Sequence, residues 1–434
     1  MKLNMKKNYS KQNGITLIAL IVTIVILLIL AGVTLNAVFS DNGIIKMARD
    51  AQTKTDQGMQ KDLEPMGELE DLINKNAGES KNGETVKIST IVGKGAVTQN
   101  TKAEDAYGNK ITIPKGFKVL AHGNEAGSAT YTYSGDNIPV VQDGIVIEDT
   151  QTETAGNQFV WVPVGTIKNK SDDSKGATST ITLGRYSDFT MTNGAVASGQ
   201  PAQVASVENC TKVVPINTNY QELSTSRAGN TAKNSTAQNA TARNLAEFIS
   251  TSLSNGGYYI ARFEASGTAS KITSKYNQPV LTYITQPNAA QTARNMYGDT
   301  TDYASDLVNS YAWDTAIIFI QTYSGKTDYA SYNESKTTKA FTATGKNNDK
   351  YCNIFDMSGN AYEWTTEYST ISQRGDFFPC IYRGGYFFID LDRAGSYTSD
   401  RTGSITTNRF SNSSLRPLLY VKQHWPLIQW IRNE

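Results

Sequence analysis

The sequence predicts an α+β protein: a long N-terminal α-helix of the transmembrane type, then a large domain of short strands, few helices and many irregular loops. Three observations predict it. From Leu17 to Leu35 the chain is uncharged and almost wholly apolar, with Thr23 and Thr34 as the polar exceptions. From Val86 onward, short β-type runs alternate with Gly, Asn and Asp turns. Helical spacing returns only in two short stretches of the second half.

Composition narrows the function. The formal net charge is +1, and no Lys/Arg-rich block contradicts that balance, which argues against a nucleic-acid surface. His122 and His424 are the only histidines, too few for the usual metal hydrolase or imidazole-activated nucleophile. Three cysteines, Cys210, Cys352 and Cys380, make no dense disulfide framework.

At the N-terminus, Lys2, Lys6, Lys7 and Lys11 precede Gly14 and the apolar run. Roughly 20 helical residues span a bilayer core, and lysines before the run favour a cytoplasmic start. A secretory signal has a shorter core and a small-residue stop; here "LAGVTLNAVFS" is a weak one. The pattern resembles a type IV prepilin N-terminus: a short basic leader, a Gly, then a helix starting Ile-Thr-Leu-Ile. The resemblance implies that a prepilin peptidase cuts between Gly14 and Ile15. The leader 1–14 is then removed, and residues 15–78 remain as membrane or pilin helix and stalk, broken near Pro65. It also implies other pilins or a membrane assembly machinery as partners. Ala19 stands where that family usually has Glu, which bears on polymerisation but not on anchoring.

Residues 79–156 read as a β-rich connecting region, with "DAYGNKITIPKGFKVL" and "VVQDGIVIED" as its strands. "NQFVWVPVG" is a further strand. Residues 222–245 are rich in Ser, Thr, Asn and Ala and read as a surface loop or polar helix. "ATARNLAEFISTSL" reads as a helix, "GGYYIARFEAS" as a strand and "YAWDTAIIFIQTYS" as a helix. Tyrosine is abundant, 23 residues, as suits exposed β surfaces and binding faces.

Six phrases then stand in order: "FVWVPVG", "GGYYIARFEAS", "AWDTA", "NIFDMSGNAYEWTTE", "YRGGYF" and "SLRPLLYV". Together they resemble the formylglycine-generating enzyme (sulfatase-modifying factor) superfamily, a variant of the C-type lectin fold, over residues 157–422. Gly359, Gly384 and Gly385 supply backbone shapes closed to other residues. Trp161, Trp313 and Trp364 brace the core, and Asp356, Glu363 and Arg383 are expected as buried partners of loop backbone and of each other. In some members the Gly-Asn-x-x-Glu turn helps hold calcium, which makes Asn360 and Glu363 the matching metal candidates. Members that make formylglycine use a cysteine pair, binding copper, just after the Arg-Gly-Gly phrase. Here residues 386–393 contain no cysteine, so that activity is not expected and no catalytic residue is assigned. Cys352 and Cys380 read equally as a disulfide or as two buried thiols.

Between residues 384 and 421 there is no Lys, Glu, Gln, Met or Trp. Two sets stand out, Tyr386, Phe387, Phe388, Ile389, Asp390, Leu391 and Asp392, and then Asn408, Arg409, Phe410, Ser411 and Asn412, followed by Ser413 and Ser414. All of these can be written with codons ending in a pyrimidine, as adenine-directed rewriting of Asn codons would leave them. That resembles the variable proteins of diversity-generating retroelements, lectin-fold binders rewritten in a C-terminal patch. It implies a ligand-binding face for an unknown protein or glycan. The expected function is a surface-displayed, pilin-anchored, non-catalytic adhesin with its C-terminal domain extracellular. A structural minor pilin (or pseudopilin of a type II secretion-like system) and an enzyme of the same superfamily are the rivals. The apolar tail 423–434 is expected to pack on the domain or meet the membrane surface.

Overall fold

A computed structural model describes residues 85–121, 138–171, 175–186, 191–192, 195–196, 214–217, 220–223, 226, 238–334, 341–369, 379–387 and 397–422. The chain divides into two units, Met1–Gly83 and Glu84–Glu434. The leader, the apolar run and the tail lie outside the described residues. Among the described residues no helix is long and apolar enough to cross a membrane.

The larger unit is rich in β-structure. In chain order its main strands are β1 Phe117–Val119, β2 Val146–Asp149, β3 Gln158–Pro163, β4 Val214–Asn217, β5 Tyr220–Glu222, β6 Gly257–Ala261, β7 Tyr303–Leu307, β8 Tyr362–Ser369, β9 Cys380–Arg383, β10 Thr402–Ser404, β11 Ser413–Leu415 and β12 Pro417–Val421. Six of them form one antiparallel sheet in the order β7-β12-β6-β3-β2-β1. The others form a second sheet, β4-β5-β8-β9-β10, with β11 parallel to β8. β2 pairs directly with β3, so no structural break falls at residue 156, where a connecting region was expected to end. The strand β3 is buried on both faces, which is why it reads as a continuous apolar run rather than an alternating one.

Three longer helices support these sheets: α1 Leu245–Asn255, α2 Gln286–Tyr297 and α3 Ser310–Tyr323. Each starts at a side-chain cap, from Asn244, Thr285 and Asn309 respectively, accepting a free backbone N–H of the first turn. Residues 240–244 remain outside α1, because the Asn244 cap fixes its start. α3 is buried from Ser310 to Thr322 and packs against β3 of one sheet and β8 of the other. Such all-round burial suits its sequence, "SYAWDTAIIFIQTY". α2 had no sequence signal; it packs alanines, Ala289, Ala290 and Ala293, against β7 and β8.

Between β11 and β12 the chain passes from one sheet to the other, with Arg416 at the crossing. Its guanidinium donates to both carboxylate oxygens of Glu363 (2.7 and 2.5 Å) and to the carbonyls of Ala261 and Phe355, both at 2.8 Å. Trp161, Trp313 and Trp364 are fully buried, as expected. The Trp313 and Trp364 indoles donate to the Thr398 and Ile284 carbonyls at 2.9 Å. Cys352 and Cys380 are separate free thiols rather than a disulfide; Cys380 is buried, as the second reading has it, and Cys352 is half-buried. Burial raises the pKa of both.

Candidate ligand-binding face

The face is built on the β8–β9 pair, where Glu363 faces Arg383 and Trp364 faces Tyr382. Tyr362 and Tyr382 bring their rings to 4.1 Å, and Trp364 meets Tyr382 edge-on at 5.1 Å. Burial raises the Tyr382 phenol to about 12, with Tyr386 adding to the shift, and burial also raises Tyr362. After Arg383 the chain must turn sharply under the Asp356-Met357-Ser358-Gly359 loop. Gly384 does so at φ +89°, and a Cβ there would sit 2.7 Å from the Met357 carbonyl. The gap is closed by a Gly359 N–H to Gly384 O bond of 2.7 Å.

That turn delivers Tyr386 and Phe387 to the surface, both half-buried. Tyr386 lies 4.9 Å from Tyr362, and Phe387 lies 5.8 Å from Tyr386 and 5.3 Å from Phe341. Two further loops close on the same place. The Tyr362 N–H donates to Asn412 O at 2.8 Å, which fixes the 408–412 turn beside β8. The Tyr283 N–H donates to Phe410 O at 2.9 Å, and the Trp364 indole holds the neighbouring Ile284 carbonyl. Tyr283 is 65% exposed, Phe410 41% and Phe341 39%.

The expected ligand residues are thus distributed. Tyr386 and Phe387 line the face; Arg409, Phe410 and Ser411 are exposed; Asn408 and Asn412 are half-buried. The residues from Phe388 to Asp392 lie outside the described residues. Ser413 and Ser414 are fully buried in β11, so the turn offers only its first part to solvent. Tyr283 and Phe341 had no sequence signal. They come from segments remote in the chain: Tyr283 is placed here by its backbone bond to Phe410, and Phe341 by its ring contact with Phe387.

Beneath the face are two buried charge clusters. Glu367 receives Arg185 at 2.5 Å, Arg401 at 2.8 Å and Arg383 at 3.5 Å, while Asp314 takes Arg383 at 2.6 Å and Arg401 at 2.5 Å. Against the cost of burial, Arg401, Arg185 and Arg383 hold Glu367 down at about 2. Glu222 at the rim takes hydroxyls of Ser310 and Thr366, and burial pushes it up to about 7. Arg383 therefore pairs here, and Glu363 pairs with Arg416, rather than the two with each other. The second cluster gathers Glu264, Asp356 and Glu363 around Arg416.

Asn360 and Glu363, the candidate calcium residues, belong to that second cluster. Both oxygens of Glu363 are spanned by Arg416, already a cation, and Asn360 Oδ1 accepts from Thr342 N and Oγ1 at 2.9 and 3.2 Å. These donor sets do not fit a calcium ion, which would have to displace a guanidinium. Among the described residues no group of three or more His, Cys, Asp and Glu side chains is arranged to hold a metal.

Comparison with known proteins adds the N-terminus. The prokaryotic N-terminal methylation motif matches residues 9–35, so the chain carries a prepilin-type start. No curated protein matches the chain in sequence. Similar solved structures include the crystal structure of CarF, 15% identical with a TM-score of 0.28, covering 39% of this chain and 87% of that one. Variable protein 1 of Treponema denticola is 12% identical with a TM-score of 0.23, covering 62% and 98%. The U1 variant of the Major Tropism Determinant is 12% identical with a TM-score of 0.21, covering 79% and 99%. These likenesses are too slight to decide the fold.

Proposed function

We propose that this chain is a pilin-anchored surface protein that binds a ligand, without catalysis, through the aromatic face above β8 and β9. The prepilin-type motif supports membrane or pilus display, with cleavage by a prepilin peptidase between Gly14 and Ile15. The observation that carries the binding role is the clustering of exposed rings. Four large apolar side chains are exposed among the described residues, and three of them, Tyr283, Phe341 and Phe410, belong to this one set of mutually bonded loops. Exposed aromatic clusters with polar rims are poor for solubility and good for recognition. The domain is read as a C-type-lectin-like binder and the segment 384–421 as its diversified part. Display on a filament or membrane makes weak single contacts cooperative through multivalency.

Two experiments test this. N-terminal sequencing of the membrane-bound protein is expected to begin at Ile15; a start at Met1 overturns the processing step. Deleting residues 386–392 is expected to abolish attachment while pilus assembly and display persist. Failed assembly with attachment unchanged would favour a structural minor pilin instead.

A further inference from the structure

Asn360 makes an unusual number of bonds for a turn residue. It is 1% exposed and stands at φ +55°, a left-handed conformation that Asn tolerates better than most residues. That conformation follows Gly359 at φ +83° and turns the amide inward. Its Nδ2 donates to Glu264 Oε2 at 2.5 Å and to Thr342 O at 3.3 Å. Its Oδ1 accepts from Thr342 N and Oγ1. Its backbone carbonyl accepts the Phe387 N–H at 3.0 Å. Glu264 takes a second bond, from the Ala361 N–H at 3.0 Å, so it fixes the same turn from below.

Thr342 follows Phe341, and Phe341 and Phe387 form the outer ring pair of the face. One buried amide therefore holds the two ring-bearing loops, one by its side chain and one by its carbonyl. From this geometry we infer that Asn360 is the positioning residue of the ligand face, fastening the Phe341 loop to the Phe387 loop over Glu264. The inference rests on the reading of that face as the binding surface. Where a metal-binding role would leave the Asn360 side-chain oxygen for the ion, here that oxygen is taken by Thr342 and the nitrogen is shared between Glu264 and Thr342.

Residue-resolved amide hydrogen exchange on the full-length protein in detergent micelles tests it without any ligand. Asn360→Gly keeps the left-handed turn and the carbonyl to Phe387 but removes the side chain. The Thr342 amide is expected to exchange about tenfold faster, with the amides of Gly257–Ala261 unchanged. Thr342→Val removes only the hydroxyl bond at 3.2 Å and is expected to give roughly a threefold increase at residue 342. It decides the matter alone if the glycine variant does not fold. Exchange at Thr342 within twofold of wild type in the folded glycine variant overturns the proposal, as does an unchanged rate in the valine variant when only that one folds. A rise shared equally by the core strand in the variants that fold overturns it too. Because this readout needs no ligand, its failure is separable from a failure of attachment, which would instead sink the binding reading.

Discussion

Glu367 and Glu264 are both fully buried glutamates beneath the same face, and they are buried in opposite ways. Glu367 sits among three arginines and is held ionised, at about 2. Glu264 takes its bonds from an amide and a backbone N–H. Burial raises it well above the ordinary range, and the nearby Asp356 and Glu363 add to the shift. The first cluster neutralises charge with arginine; the second has one arginine for three carboxylates and must use protons. A rigid ionic base thus lies under β8–β9, and a proton-dependent one lies under the Asp356–Asn360 turn.

The largest expected effect comes from breaking the ionic base. Arg383→Met leaves Asp314 with one arginine and Glu367 with two; it is expected to lower unfolding free energy by about 3–5 kcal/mol, measured by denaturant unfolding. A loss below 1 kcal/mol would show that the two clusters do not differ as described.

The pH dependence separates the two more sharply. Glu367 is shifted down from 4.5, so its contribution is present above pH 4.5 and is lost as pH falls toward 2. In the second cluster Asp356 is shifted up from 3.8 to about 7, with burial as the first cause. Its contribution is full below the unfolded value and is lost as pH rises through 7. Thermal midpoints are expected to be highest near pH 4–5, falling by several degrees toward pH 8 and again below pH 3. A midpoint flat from pH 5 to 8 would contradict the proton-dependent cluster.

A smaller effect follows from Asp356→Asn. Asp356 stands at φ +60°, which Asn tolerates; its Oδ2 takes the Gly345 N–H at 2.6 Å, and its Oδ1 has no hydrogen-bond partner among the described residues. The neutral amide mimics the protonated acid, so a change within about 1 kcal/mol at pH 7 is expected, with a shallower decline toward pH 8. A loss above 3 kcal/mol would mean that the carboxylate is held ionised.

Much of this scaffold is legible in the sequence and some is not, for physical reasons. The β3, β6 and α3 segments announce themselves because they are apolar runs that are buried along their length. The turns at Gly359 and Gly384 announce themselves because only glycine fits easily there. α2 is silent because its buried side is alanine, which carries little hydrophobic contrast. The pairing of Glu363 with Arg416 is hidden because the partners are 53 residues apart and meet only where the chain changes sheets. Tyr283 and Phe341 are hidden for the same reason: a surface assembled from remote loops has no local pattern.

The face itself is the region where stability and function should part company. Phe341 and Phe410 are exposed, so Phe341→Ser with Phe410→Ser is expected to change stability by no more than about 1 kcal/mol. The decisive measurement is attachment of cells displaying this double variant, with display equalised by surface labelling, to surfaces that wild-type cells hold. Loss of attachment by at least about tenfold at equal display, as removal of interface anchors would give, is the predicted result. Attachment equal to wild type at equal display would contradict the aromatic face as the ligand-binding surface.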